Sequence, residues 1–301
     1  MLAFSTAWNA GRHRSGKKIV REILDMGFDA IELGHGLKAN TVHEILAFQE
    51  KEGFTVSSLH NFCPLPPEVM IDNPDCYEFT SHRATDRQRA VRLTLQTIDM
   101  AERFGARVVV LHTGRIKTLK LTRHLRELVE QEGSFTRHYA EEKVRAVLRR
   151  EKVGEVYIRR ALDCLMEITD YASQKGIRLG IENREHYEAM PSEHEFVNFL
   201  QRLDAPNALY WHDFGHAQIK HNLGLLDHAD WLKKMGPRTM GCHVHDVGWP
   251  FQDHRAPFTG EIPFEKLVQF LPPDCLFVFE LHPRTAKEDI LSAAARWRAL
   301  R

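Results

Sequence analysis

Seven residues of types that ligate metals or move protons close short apolar runs in this 301-residue chain: His60, His112, Glu182, Asp213, His243, His245 and Glu280. Taken singly, such a histidine is an ordinary hydrogen-bonding residue, and such an acid often caps the helix that follows. As a set they are harder to dismiss. Carboxylates and imidazoles aimed into one space repel or desolvate one another unless protons or a cation intervene. A divalent ion resolves that conflict. Mixed oxygen and nitrogen donors suit manganese, cobalt, magnesium, iron or zinc rather than a metal that prefers thiolate.

The elements that must position these residues alternate regularly. Short apolar runs occur at Leu2–Ala7, Phe28–Leu33, Thr55–His60, Arg107–His112, Ile177–Glu182, Ala208–Asp213, Thr239–His245 and Cys275–Leu281. Glycine precedes four of them, at Gly27, Gly53, Gly105 and Gly176, as expected where a helix ends and a buried strand begins. The stretches between have helical spacing; Val91, Leu95, Ile98, Ala101 and Phe104 form the clearest stripe. Eight parallel strands with helices between them give an α/β fold, the (β/α)8 TIM barrel, whose chemistry gathers at the C-terminal ends of the strands. We expect one barrel domain over 1–301. The polar stretch 115–156 breaks the period and reads as a helical insertion after the fourth strand, placed to act as a lid.

Composition excludes several alternatives. With 41 Lys plus Arg against 41 Asp plus Glu, the chain lacks the cation surplus of a general nucleic-acid binder, so nucleic acid is not an expected partner. Five scattered cysteines with no C-x-x-C pair argue against a disulfide framework or a structural zinc knuckle, and fit a reduced, cytoplasmic setting. The N-terminus lacks the order of a signal peptide, and no apolar run is long enough to span a bilayer.

The residues at the strand ends also resemble a known family. GFDAIEL (27–33), SLHNFCP (58–64), VVLHTGR (109–115), GIENRE (180–185), HDFGHA (212–217), GCHVHD (241–246), TGEIPF (259–264) and FELHP (279–283) are similar, in that order, to the xylose-isomerase-like TIM barrels. That superfamily joins sugar and sugar-phosphate isomerases and epimerases to the endonuclease-four type of abasic-site nuclease. The isomerase branch implies one metal held by Glu182, Asp213, His243 and Glu280. His243 is preferred to His245 because the motif places the ligand three residues before an acid, here Asp246. His216, spaced D-x-x-H from Asp213, would contact substrate or a further metal.

The chemistry implied is proton transfer. A metal that chelates the carbonyl and hydroxyl oxygens of a hydroxy-ketone acidifies the intervening carbon–hydrogen bond and stabilises the enediolate. Glu182 and Glu280 would remove and return the proton. The substrate would be a small carbohydrate, phosphorylated or not, and the metal manganese, cobalt, magnesium or zinc. The nuclease branch implies the alternative, a polynuclear zinc hydrolase or lyase with up to three ions. His60, His112 and His216 fall on positions resembling its larger ligand set. Its Asp-x-His element is represented by adjacent Asp253 and His254, and neighbours on an extended chain point apart.

Other residues are weaker candidates. Arg115, Lys117 and Arg184 lie near the mouth in sequence and suit a phosphate or carboxylate. His245 is a further substrate contact. Glu32 and His35 end the second run and are expected to hydrogen-bond within the mouth. Trp8, Phe62, Trp249 and Phe251 could wall a sugar ring, and Cys63 and Cys242 follow no ligand pattern. Pairing of chains into a homo-oligomer rests on fold analogy alone.

Overall fold

In a computed structural model describing residues 1–70, 73–117 and 119–300, eight parallel strands close into a barrel. They are β1 (Leu2–Ser5), β2 (Ala30–Leu33), β3 (Val56–His60), β4 (Val108–Leu111), β5 (Arg178–Glu182), β6 (Ala208–Asp213), β7 (Thr239–Val244) and β10 (Leu276–Phe279). Between β7 and β10 an antiparallel hairpin, β8 (Asp246–Gly248) with β9 (Gln252–Arg255), stands over one side of the mouth. The helices are α1 (Gly16–Leu24), α2 (Ala39–Glu52), α3 (Ala84–Phe104), α4 (Leu121–Glu132), α5 (Arg137–Gln174), α6 (Glu193–Leu203), α7 (Phe214–Asn222), α8 (His228–Met235), α9 (Phe264–Leu267) and α10 (Lys287–Leu300).

Every expected run contains a barrel strand, but several strands stop early. β1 ends at Ser5 because its hydroxyl accepts from the Ala7 amide and starts a 3-10 turn, Thr6–Trp8. Strands and helices meet at left-handed residues: Gly53 (φ 77°) closes α2 and Gly105 (φ 65°) closes α3, a backbone state that glycine adopts without penalty. Inside the barrel Trp211 fills the axis, and it does so because two neighbouring strands carry no side chain there. A Cβ on Gly241 would lie 2.2 Å from its ring, and one on Gly180 2.9 Å.

The stretch expected to be a polar insertion is more embedded than its composition suggests. α4 buries Leu121, Leu125, Leu128 and Val129, each contributing roughly 1.5–3 kcal/mol if fully removed from water. α5 runs unbroken through position 156, so the irregular period reflects a lengthened barrel helix as well as an added one. Its buried Arg150 donates to the carbonyls of Tyr187 and Ala189 and to Glu195, which ties the helix to the β5–α6 loop.

Candidate metal centre

The barrel gathers Glu182, Asp213, His243 and Glu280, from four strands or strand ends, around one imidazole nitrogen. His243 Nδ1 lies 3.3 Å from Glu280 Oε2, 3.6 Å from Glu182 Oε2 and 3.8 Å from Asp213 Oδ2. It is fully buried and has no hydrogen-bond partner; Glu182 Oε1 is in the same condition. The other ring nitrogen, Nε2, is 3.3 Å from Glu32, whose carboxylate is itself held by the Ser58 hydroxyl at 2.8 Å. Glu32 therefore accepts the Nε2–H hydrogen bond and turns Nδ1 towards the three acids, the arrangement in which an outer carboxylate orients a metal-ligating histidine. A buried nitrogen facing three carboxylates fits a divalent cation.

Asp213 has a second duty as the N-cap of α7, where it accepts from the His216 amide at 2.7 Å. The D-x-x-H spacing is thus a helix-cap geometry that also brings the His216 ring over the acids. His216 Nδ1 is 3.0 Å from the Asn183 carbonyl and 3.2 Å from Glu182 Oε1, and Nε2 is 3.5 Å from Glu185.

His60 and His112 flank Glu182 from the other side. His60 Nδ1 donates to the Asn61 carbonyl at 2.9 Å, which leaves Nε2 3.3 Å from Glu182 Oε2. His112 Nδ1 donates to Asp75 at 2.8 Å, and Nε2 is 3.1 Å from the same Glu182 oxygen. These three residues form a second group close enough to hold an ion. A guanidinium stands in it, however: Arg184 Nη1 lies 2.9 Å from His112 Nε2 and 3.6 Å from Glu182 Oε1.

His245 stands immediately past the end of β7. It is fully buried; its Nδ1 accepts from the His254 backbone amide at 2.9 Å, so Nε2 carries the proton and donates to Asp213 at 3.0 Å. One nitrogen is engaged by the hairpin amide and the other by Asp213, so neither is free for a substrate. The expectation that Asp253 and His254 point apart fails for a local reason. His254 adopts φ 53°, outside the extended region, and its Nδ1 comes within 3.3 Å of Asp253 while its ring stacks on His245 at 4.2 Å. His216, His245 and His254 make a further group of metal-ligand type.

Electrostatics follow from crowding. Burial opposes ionisation of Glu182, but the neighbouring His112 and His243 hold its carboxyl well below the usual range. Burial likewise opposes charge on His243 and His216. For His243, Glu280 and Glu32 prevail and keep the ring protonated well above its usual range; for His216, Asp213 and Glu185 raise it to about 9. Without an ion, protons on imidazoles balance the acids, and metal binding would release them.

The other expected residues scatter. Arg115 and Lys117 lie to one side of the mouth, both against buried Glu78 at 3.5 and 3.2 Å. Trp8 and Phe62 are buried in the core, while Trp249 is 53% exposed. Asp75, Asn183 and Glu185 join the centre without having been singled out in the sequence. Asn183 braces Asp213 by accepting from its amide at 2.7 Å and donating to its carbonyl at 3.1 Å. Its place beside Glu182 in the IEN motif was the available signal.

Comparison with known proteins agrees with this architecture. No curated protein sequence matches the chain. Among solved structures, a D-tagatose 3-epimerase-like protein superposes with TM-score 0.70 at 17% identity, covering 99% of this chain and 96% of that one. The D-psicose 3-epimerase of Clostridium cellulolyticum H10 gives 0.70 at 12% identity, covering 99% and 98%. The 3-keto-D-glucoside 4-epimerase YcjR of E. coli gives 0.68 at 13%, also covering 99% and 98%. At these identities the likeness establishes the fold. A family profile described as xylose isomerase-like TIM barrel matches residues 20–300, and the chain belongs to that family.

Proposed function

We propose that this protein is a divalent-metal-dependent sugar epimerase or isomerase. The observation that carries the reading is His243 Nδ1, buried, unpartnered and aimed at Glu182, Asp213 and Glu280. These four residues would hold one ion. When bound, the ion would polarise the carbonyl of a hydroxy-ketone and acidify the neighbouring carbon–hydrogen bond.

The chain's own residues supply the rest. Glu182 and Glu280 belong to strands three places apart round the eight-membered barrel, and both carboxylates face the same small space. One takes a proton from carbon and the other returns one. Return to the same carbon from the opposite face is epimerisation, and return to the adjacent carbon is isomerisation; the named activities of the structural neighbours favour the first. His216, 3.2 Å from Glu182, and His254, 3.9 Å from Glu280, are placed to steady those carboxylates as their charge changes. The cysteines, scattered along the sequence, support a reducing, cytoplasmic setting, and no helix among the described residues is long and apolar enough to cross a membrane.

One observation favours a second reading. The His60–His112–Glu182 group has the composition and spacing of a further metal site, as a polynuclear hydrolase would require. Arg184, 2.9 Å from His112, favours one ion by placing a fixed positive charge there. Elemental analysis of chelator-free protein is expected to give about one ion per chain, whereas two or three, zinc-rich, would transfer the assignment to the hydrolase. With a ketose substrate in deuterium oxide, turnover should incorporate deuterium at carbon, and Glu182→Gln or Glu280→Gln should abolish it. Turnover without exchange in the wild type would overturn the two-glutamate scheme.

A further inference from the structure

The outward face of α5 holds much of the uncovered apolar surface of the molecule. Six of the ten exposed large hydrophobic side chains among the described residues lie between positions 135 and 166: Phe135, Val144, Leu148, Val153, Val156 and Met166. Single exposed apolar side chains are ordinary, but a cluster of them points to a contact surface. Leu148, at the middle of this one, is 61% exposed. A helix turns about 100° per residue, which puts Glu141, Val144, Leu148, Lys152, Glu155 and Arg159 on one exposed stripe. The stripe lies opposite Ala146, Arg150, Gly154 and Ile158, whose burial docks the helix on the barrel.

Charges on this stripe follow an order. Counting outwards from position 150, Arg145 answers to Glu155, Glu141 to Arg159 and Arg137 to Asp163, while Val144 answers to Val156. A helix laid antiparallel against its own copy, about a two-fold axis level with position 150, sets each residue opposite the one equally far on the other side of that position. Opposite charges then meet at three levels, each twice, and no like charges share a level. Leu148 meets the aliphatic stem of Lys152, and Phe135, just ahead of the helix, comes near Met166 of the second copy. A parallel pair would set each charge against its own kind. A face of one sign would fit an acidic or basic partner, whereas this reversed order of signs fits a second copy of the chain. Local pairs leave the charges available: Glu141 is 2.9 Å from Arg137 and Glu155 2.9 Å from Arg202, at the surface where such pairs contribute little. Among the described residues Lys152 and Arg159 have no ion-pair partner.

We propose that α5 is the interface of a homodimer, two chains packing α5 against α5 in antiparallel register about a two-fold axis at the level of Arg150. Positions 137–166 span about 45 Å at about 1.5 Å per residue, and a helix face about 11 Å wide then buries on the order of 500 Å² per copy. The total of about 1,000 Å² is the lower limit for a specific interface, so the dimer should be reversible, with a micromolar Kd. The proposal is independent of the chemistry at the barrel mouth.

The test is sedimentation velocity of the full chain between about 1 and 200 μM, in which a 34.9 kDa monomer should convert to a dimer. Leu148→Glu puts a charge at the middle of the interface and should weaken association at least about tenfold; the residue is exposed, so circular dichroism should not change. Charge reversal tests the register. Glu141→Arg sets two cations against each other and Arg159→Glu two anions, and each should weaken self-association by about tenfold. An equimolar mixture of these two variants should recover the wild-type affinity, because each chain then meets the opposite charge on the other. A wild type that stays monomeric at the highest concentration overturns the proposal, as does a dimer that survives Leu148→Glu. Reversed variants that self-associate as the wild type does, or that fail to associate when mixed, overturn the antiparallel register.

Discussion

The sharpest consequence of the geometry concerns Glu32, which meets no ion in the scheme above yet decides how His243 presents itself. Replacing it by leucine removes the acceptor for His243 Nε2–H in a site with no water access, since both residues are fully buried. Leaving a buried donor unsatisfied costs about 1–3 kcal/mol. The ring can escape by moving its proton to Nδ1, but that nitrogen faces Glu280 at 3.3 Å and Glu182 at 3.6 Å, where the ion would bind. Either way the cost falls on metal binding, about 10- to 100-fold in affinity, the range seen when outer partners of ligating histidines are lost. Glu32→Gln keeps a carbonyl to accept the proton and so should cost less than about tenfold. The measurement is competition for manganese or zinc against a chromogenic chelator, with circular dichroism to confirm the fold. Wild-type affinity in the leucine variant would refute the reasoning. A glutamine variant as weak as the leucine one would refute it differently, by making Glu32 itself a ligand.

Two further expectations concern stability. Behind the centre, Trp231 donates to the Tyr210 oxygen, Tyr210 to His212 Nδ1, His212 to His228, and His228 to Gln218, a chain in which each imidazole carries one proton. Burial lowers His212 to about 3 and, with His212 beside it, drives His228 well below the usual range. The unfolded chain therefore takes up these protons first, and stability is lost as pH falls below about 6.5, by roughly 1.4 kcal/mol per histidine per pH unit. His216, shifted upward to about 9, contributes stability that is lost as pH rises from about 6 towards 9 and is constant only below about 6, where the unfolded chain is protonated too. Urea unfolding of chelator-treated protein between about pH 6 and 5 should therefore show the slope of the lowered pair, and His228→Gln should flatten it; an equal slope in the variant would discount the pair. Elsewhere, buried Lys220 is paired with buried Glu193. Lys220→Met should destabilise by about 3–5 kcal/mol because it strands the acid, and Glu193→Leu added to it should recover most of the loss; a double variant no better than the single would mean the pair is not coupled.

The barrel was legible because each buried strand spells itself as an apolar run, four of the eight opened by a glycine and five closed by a polar residue. Glu182, Asp213 and Glu280 could be read for the same reason: a strand end fixes where its last side chain points. Asp75 could not, because it reaches His112 from an irregular segment between β3 and α3 where no periodicity ties sequence to direction. His254 was misjudged by an extended-chain rule that its left-handed backbone does not obey. His245 matched the pattern of a site residue by type and spacing, yet a single backbone amide from the hairpin consumes its free nitrogen. The polarity of 115–156 concealed the apolar stripe by which α4 docks.

Glu182 bounds two candidate sites at once. One of its oxygens lies within 3.1 to 3.6 Å of His112, His60 and His243, so it forms the shared wall of two adjoining ligand groups. Whether one ion or two would sit at this wall then turns on a single side chain, Arg184, with no strand displaced and no loop rebuilt.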